Sequence, residues 1–151
     1  MTANTMKATV EFVSDDLFVG ITPSNHAVTL DTDKDRSCAP SPTELLLLAV
    51  GSCTATDVAS ILAKKRQHVT HYVVEVTGER REETPRKFMW MKVHHILTGR
   101  GLSENAVAHA IELSDTKYCS VAASLRPGVE ILTSFEIIEA PSSDPARGEV
   151  S

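Results

Sequence analysis

Cysteine is scarce in this chain, and so is positive charge. The cysteines are only Cys38, Cys53 and Cys119, a small and odd set in 151 residues. Such a set argues against the disulfide framework of a small secreted domain. The formal net charge is -5, and the pI is near 5.6. A basic face for nucleic acid is therefore not expected. The first ten residues lack a basic segment followed by an apolar stretch, so no signal peptide is expected. The longest apolar run, Leu45–Gly51, is far shorter than the ~20 residues that span a bilayer, so no membrane partner is expected either. Gly99-Arg100-Gly101 is too short for a phosphate-cradling loop, and no cofactor is implied. No CxxC or HxxxH spacing marks a metal centre, and no internal repeat is visible. The expectation is a cytoplasmic protein with reduced thiols.

The remaining composition is globular. Hydrophobic residues make up 42% and charged residues 23%, enough for one domain with a real core. Ala8, Val10 and Phe12, then Leu17, Val19 and Ile21, alternate at period two. His26–Leu30 is a third short run, and together these predict a three-stranded antiparallel meander. Residues 32–40 read as an exposed loop.

Ser41-Pro42-Thr43-Glu44 is a helix start. Ser41 can cap free amides, Pro42 sits where its missing N–H costs nothing, and Glu44 completes a capping box. The helix continues to Lys65. It is apolar nearly all round over Leu45–Ala55, which predicts burial on every side there. Val73–Thr77 and Phe88–Leu97 read as a hairpin with a charged tip at Glu79–Arg86. Ser103 caps a second helix over Ser103–Lys117, Cys119–Leu125 forms a short third helix or turn, and Val129–Ile138 is a last strand. Strands and helices do not alternate one for one, so the class is α+β. One domain is expected over residues 1–139, with a disordered tail at 140–151.

Cys53 lies about three turns into the first helix, beside Gly51 and Ser52. A buried structural thiol and a reactive one both fit that setting. Cys119 sits at a helix junction, where free amides favour a thiolate. Two such cysteines suit a nucleophile and a resolving partner, through a sulfenic acid and then a disulfide. Asp57 shares the face of Cys53. A carboxylate there works against a thiolate, so an interface or capping contact is the expected role. His94 and His95, adjacent on a strand, must face opposite sides. Cys38, in a polar loop, is a third and weaker redox candidate.

The segments Ser41-Pro42-Thr43-Glu44-Leu45-Leu46, Gly51-Ser52-Cys53, Gly101-Leu102-Ser103-Glu104 and Lys117-Tyr118-Cys119-Ser120-Val121 resemble the OsmC/Ohr family. These are the osmotically inducible and organic-hydroperoxide-resistance proteins, and the likeness is to the YhfA-like branch. It covers roughly residues 6–138 in element order. It implies an intertwined homodimer in which curved antiparallel sheets wrap around cysteine-bearing helices. It also implies a thiol peroxidase in which Cys53 attacks an organic hydroperoxide, Cys119 resolves the sulfenic acid and a dithiol such as dihydrolipoamide restores the pair.

The peroxidase branch adds an arginine from the early strands and a glutamate in the first-helix motif. This chain has no Arg or Lys between Lys7 and Lys34; the nearest basic groups are His26, Lys34 and Arg36, and any replacement must come from elsewhere, from a residue such as Arg36 or Arg126. The family glutamate falls on Thr43, and the carboxylate here is Glu44. The candidate catalytic set is therefore Cys53, Cys119 and Glu44. The alternative is a non-peroxidatic dimer of the same fold that binds an apolar small molecule or senses redox state.

Overall fold

The computed structural model describes residues 4–142. Most of the tail expected at 140–151 lies outside the described residues. Within them the chain forms two compact units that divide inside the first helix, after Leu46.

The first unit holds the meander, with strands β1 (Thr9–Ser14), β2 (Leu17–Ile21) and β3 (Ala27–Asp31). They pair antiparallel in the order β1-β2-β3. Asp15 and Asn25 take positive φ at the two turns, a conformation that aspartate and asparagine tolerate better than most residues. Phe12 and Phe18 are directly paired across β1 and β2, with ring centroids 5.6 Å apart in an edge-to-face contact. Helix α1 (Pro42–Lys64) starts in this unit with the expected box. The Ser41 N–H donates to Glu44 Oε2 at 2.7 Å, and the Glu44 N–H donates to Ser41 Oγ at 3.3 Å.

The second unit is built on strands β4 (His68–Arg80), β5 (Phe88–Arg100) and β6 (Glu130–Glu139), with β5 central. β4 pairs antiparallel to β5 as the hairpin requires, but β6 runs parallel to β5. The antiparallel pairing that the resemblance implies holds for the other strand pairs, and the β5/β6 pair corrects it. The chain leaves β5 through helix α2 (Glu104–Leu113), a π-helical turn (Ser114–Tyr118) and helix α3 (Ser120–Leu125). Such a helical crossover returns the chain to the end where β5 began, so the next strand must be parallel. The second helix also ends four residues before the expected Lys117, because the backbone widens into the π turn.

Alternate residues of β5 point at the helices. Met91 and Val93 join Val50, Cys119, Ala122 and Ile131 in one apolar cluster. Leu97 joins Val58, Leu62, Val107, Ala110 and Ile111 in another. On three of the contributing segments a buried polar residue falls between the two clusters: Thr54 on α1, His95 on β5 and Ser114 after α2. The core thus has a polar middle layer.

α1 is long and apolar enough, by length and composition, to cross a membrane. Its buried Val50, Gly51, Thr54, Val58 and Leu62 mark it as a core helix instead. Burial on every side is not what this chain provides. Leu46 is 38% exposed and Leu48 64% exposed, while the buried Val50, Thr54, Val58 and Leu62 recur every four residues along one face.

Candidate functional site

The site is assembled from two helical elements of the second unit. Residues four apart on a helix share a face, so α1 presents Cys53 and Asp57 together. The π turn supplies the other half. The Cys119 N–H donates to the Ser114 carbonyl at 2.8 Å, closing the wide turn and leaving Cys119 as the cap of α3. The Sγ atoms of Cys53 and Cys119 and a carboxylate oxygen of Asp57 all lie within 4.8 Å of one another. Cys53 and Asp57 are half-buried and Cys119 is buried. All cysteines are free thiols.

A relay of hydroxyls backs this cluster. Ser114 Oγ donates to Asp57 Oδ2 at 2.9 Å. It also lies 2.9 Å from Thr54 Oγ1. A serine hydroxyl has one proton to give. With that proton committed to Asp57, Thr54 must be the donor to Ser114. The carboxylate is therefore held from behind by a part-buried hydrogen bond that a buried one supports.

Burial pushes the Cys119 thiol above its ordinary pKa, and the neighbouring Cys53 adds to the rise. The Ala122 N–H donates to Cys119 Sγ at 3.4 Å and works the other way. The free amides at the junction are present as expected, but desolvation outweighs them and the expected lowering is reversed.

Asp57 also lines a cavity of about 490 Å³, with Ile61, Lys64, Lys65, His109, Leu113 and Tyr118 among its other walls. Of the cluster, Asp57 alone is among the cavity's walls.

The other candidates fall elsewhere. Glu44 is occupied as a helix cap, its carboxyl lowered by the Ser41 N–H and then by the Ser41 side chain. Arg36 and Arg126 are both committed. Arg36 forks onto Asp31, with Nε and Nη2 each 2.8 Å from a carboxylate oxygen. Arg126 Nη2 bridges to Asp115 at 2.6 Å and also donates to the Ile131 carbonyl at 3.1 Å. Cys38 donates its thiol proton to Asp31 Oδ2 at 3.0 Å, which raises the thiol pKa.

His94 and His95 do face opposite ways. His94 Nδ1 pairs with Ser134 Oγ at 2.7 Å. His95 is fully buried, with Nδ1 2.6 Å from the Tyr72 hydroxyl. Its Nε2 has no partner among the described residues, and burial pushes its pKa down to about 4. Neither histidine is in the cysteine cluster.

Sequence reasoning placed Asp57 on the right face of α1 and gave it a contact role only. It assigned nothing to Ser114 or Thr54. The i, i+4 spacing of Cys53 and Asp57 was the available signal. Nothing local linked either residue to Ser114.

Known proteins give this arrangement a context. The sequence profile of OsmC-like proteins matches residues 31–134. Protein YhfA of Escherichia coli K12 is 46% identical over 135 residues, spanning 89% of this chain and all of that protein. A solved protein from Aquifex aeolicus VF5 is 30% identical with a TM-score of 0.81, covering 91% of this chain and 99% of that one. The organic hydroperoxide resistance protein OhrB of Bacillus subtilis shares the fold, with a TM-score of 0.60 at 11% identity over 89% of this chain and 100% of that one. With a profile spanning both cysteines and a relative matched along its whole length, this chain belongs to the OsmC-like protein family.

Proposed function

We propose that the protein is a thiol-dependent peroxidase acting on organic hydroperoxides. The observation that carries this reading is the approach of Cys53 and Cys119 to within 4.8 Å from separate elements. A sulfenic acid formed on one is within a side-chain rotation of the other. The half-buried Cys53, as thiolate, attacks a peroxide oxygen. The O–O bond breaks, the alkoxide leaves and takes up a proton, and Cys53 becomes a sulfenic acid. The Cys119 sulfur then displaces hydroxide, which leaves as water, and the disulfide forms. A dithiol reductant exchanges with it and returns both thiols. Apolar cavity walls at Ile61 and Leu113 suit the alkyl part of a substrate. Glu44 in this reading fixes the start of α1 and does not touch peroxide.

The working form in this proposal is a cytoplasmic homodimer. Val10, Phe12 and Val13 on β1 are 62%, 65% and 51% exposed, and Leu48 on α1 is 64% exposed. A second copy would cover such apolar surface.

A second reading keeps the dimer and drops turnover: it binds an apolar small molecule or senses redox state. It is favoured by the commitment of Arg36 and Arg126 to Asp31 and Asp115. Hydroperoxide consumption with dihydrolipoamide as reductant separates the two. The peroxidase reading expects steady consumption by the wild type and background rates in Cys53→Ser. It expects Cys119→Ser to stop after about one equivalent. A wild-type rate no faster than that of Cys53→Ser leaves the second reading.

A further inference from the structure

We infer that Cys53, Asp57 and Cys119 form a three-ligand site for a zinc-type divalent metal ion in the reduced protein. The peroxidase reading uses the two sulfurs and gives the Asp57 carboxylate no part, since like charge disfavours the thiolate. A cation reverses that account. Two thiolates and a carboxylate repel one another when alone and attract a shared divalent ion. Sulfur with oxygen is a donor set that zinc accepts.

The geometry is close to what the ion requires. Zinc–sulfur bonds near 2.3 Å and zinc–oxygen bonds near 2.1 Å place tetrahedral ligand atoms ~3.5–3.8 Å apart. The three donor atoms here are already within 4.8 Å of one another. Rotation of the cysteine side chains by about an ångström at sulfur closes the remaining gap. Two of the ligands share one helix face, and the third is held at a helix cap.

The outer shell is also built. Ser114 donates to Asp57 Oδ2 and so orients the carboxylate, and Thr54 holds Ser114 in turn. Such partners orient a ligand and reduce the entropy lost on binding. Asp57 lines the cavity of about 490 Å³, which supplies an entry path and room for a fourth, exchangeable ligand.

Binding is balanced by proton release. The two thiols each give up one proton on binding, and two thiolates with one carboxylate on a divalent ion make a centre of net charge −1. Affinity therefore rises steeply with pH. Oxidation of Cys53 and Cys119 to a disulfide removes two ligands at once and expels the ion. The site needs only the reduced thiols and stands apart from the peroxidase reading.

The test titrates the reduced, metal-free, full-length protein with Co²⁺ alone under anaerobic conditions. One equivalent is expected to give a near-ultraviolet sulfur-to-cobalt charge-transfer band with visible bands of a tetrahedral centre, and Zn²⁺ should displace it. Cys53→Ser and Cys119→Ser should each lose much of the charge-transfer intensity, and the oxidised protein should lose all of it. Asp57→Asn should keep the two-sulfur band but weaken binding at least tenfold. Ser114→Ala, which leaves every ligand in place, should weaken it ~10-fold, as loss of an outer-shell partner does. Absence of the band in the wild type overturns the inference. So does a folded Asp57→Asn with unchanged affinity, or loss of the band in Cys38→Ser. Hydroperoxide consumption by the metal-free protein is scored separately, so either idea can fail alone.

Discussion

Each unit of the chain sets a cysteine beside an aspartate, and the two pairs behave as opposites. In the first unit Asp31 is buried and accepts five hydrogen bonds. Two come from the Arg36 fork, two from the Cys38 N–H and thiol, and one from the Asp33 N–H. The Arg36 guanidinium and then the Cys38 thiol hold its carboxyl well below the usual carboxylate range. In return the carboxylate keeps Cys38 protonated. In the second unit Asp57 accepts from Ser114, no guanidinium among the described residues is shared with it, and two thiols stand within 4.8 Å. A saturated carboxylate with its own cation is a structural knot. A carboxylate held by one hydroxyl, with two sulfurs beside it, is a place where chemistry or a cation can enter. The residue types are alike, and the company each aspartate keeps separates them.

The comparison breaks first at the aspartates. Asp31→Asn removes the charge that balances Arg36 and leaves a donor facing donors. Thermal unfolding should show a loss of melting temperature several times that of Asp57→Asn, where the serine hydroxyl still finds a carbonyl. Equal losses would erase the distinction.

Acid separates the units next, in two windows. His95 has a folded pKa lowered to about 4, against ~6.5 unfolded. Its contribution is complete above pH ~6.5 and is lost as pH falls through ~4, about 3 kcal/mol in all. Asp31 is lowered too, so its contribution is complete above pH ~3.9 and is lost only below that. Denaturant unfolding from pH 7 to 3 should show both declines. His95→Phe should flatten the first and Asp31→Asn the second.

Thiol reactivity gives a smaller, several-fold effect. Cys38 is exposed as a residue, yet its thiol is held protonated by Asp31. Alkylation by iodoacetamide near pH 8, followed by mass spectrometry, should be slow in the wild type and several-fold faster in Asp31→Asn. The smallest effect belongs to Cys38→Ser, which should change hydroperoxide consumption by less than about twofold. A larger change would give the first unit a chemical role after all.

Much of the local structure was legible. The capping box at Ser41 and Glu44 needs only four consecutive residues, and both of its hydrogen bonds form. The meander follows from alternation and turn residues, with β3 displaced by one residue to Ala27–Asp31. The parallel pairing of β6 was not legible from its own residues, because alternation carries no direction. The Cys119 pKa was misread because the amides near it are local and its burial is not.

Sequence alone determined which segments fold as helix or strand, and that Cys53 and Asp57 look out from one side of α1. Backbone propensity, capping and helical period act over a few residues, so they are written locally. Tertiary structure alone decided that Cys119 reaches that side, that Ser114 stands behind Asp57, and that Cys119 is cut off from water. Proximity between distant segments and exclusion of solvent are properties of packing, and they exist only once the crossover helices have closed onto the sheet.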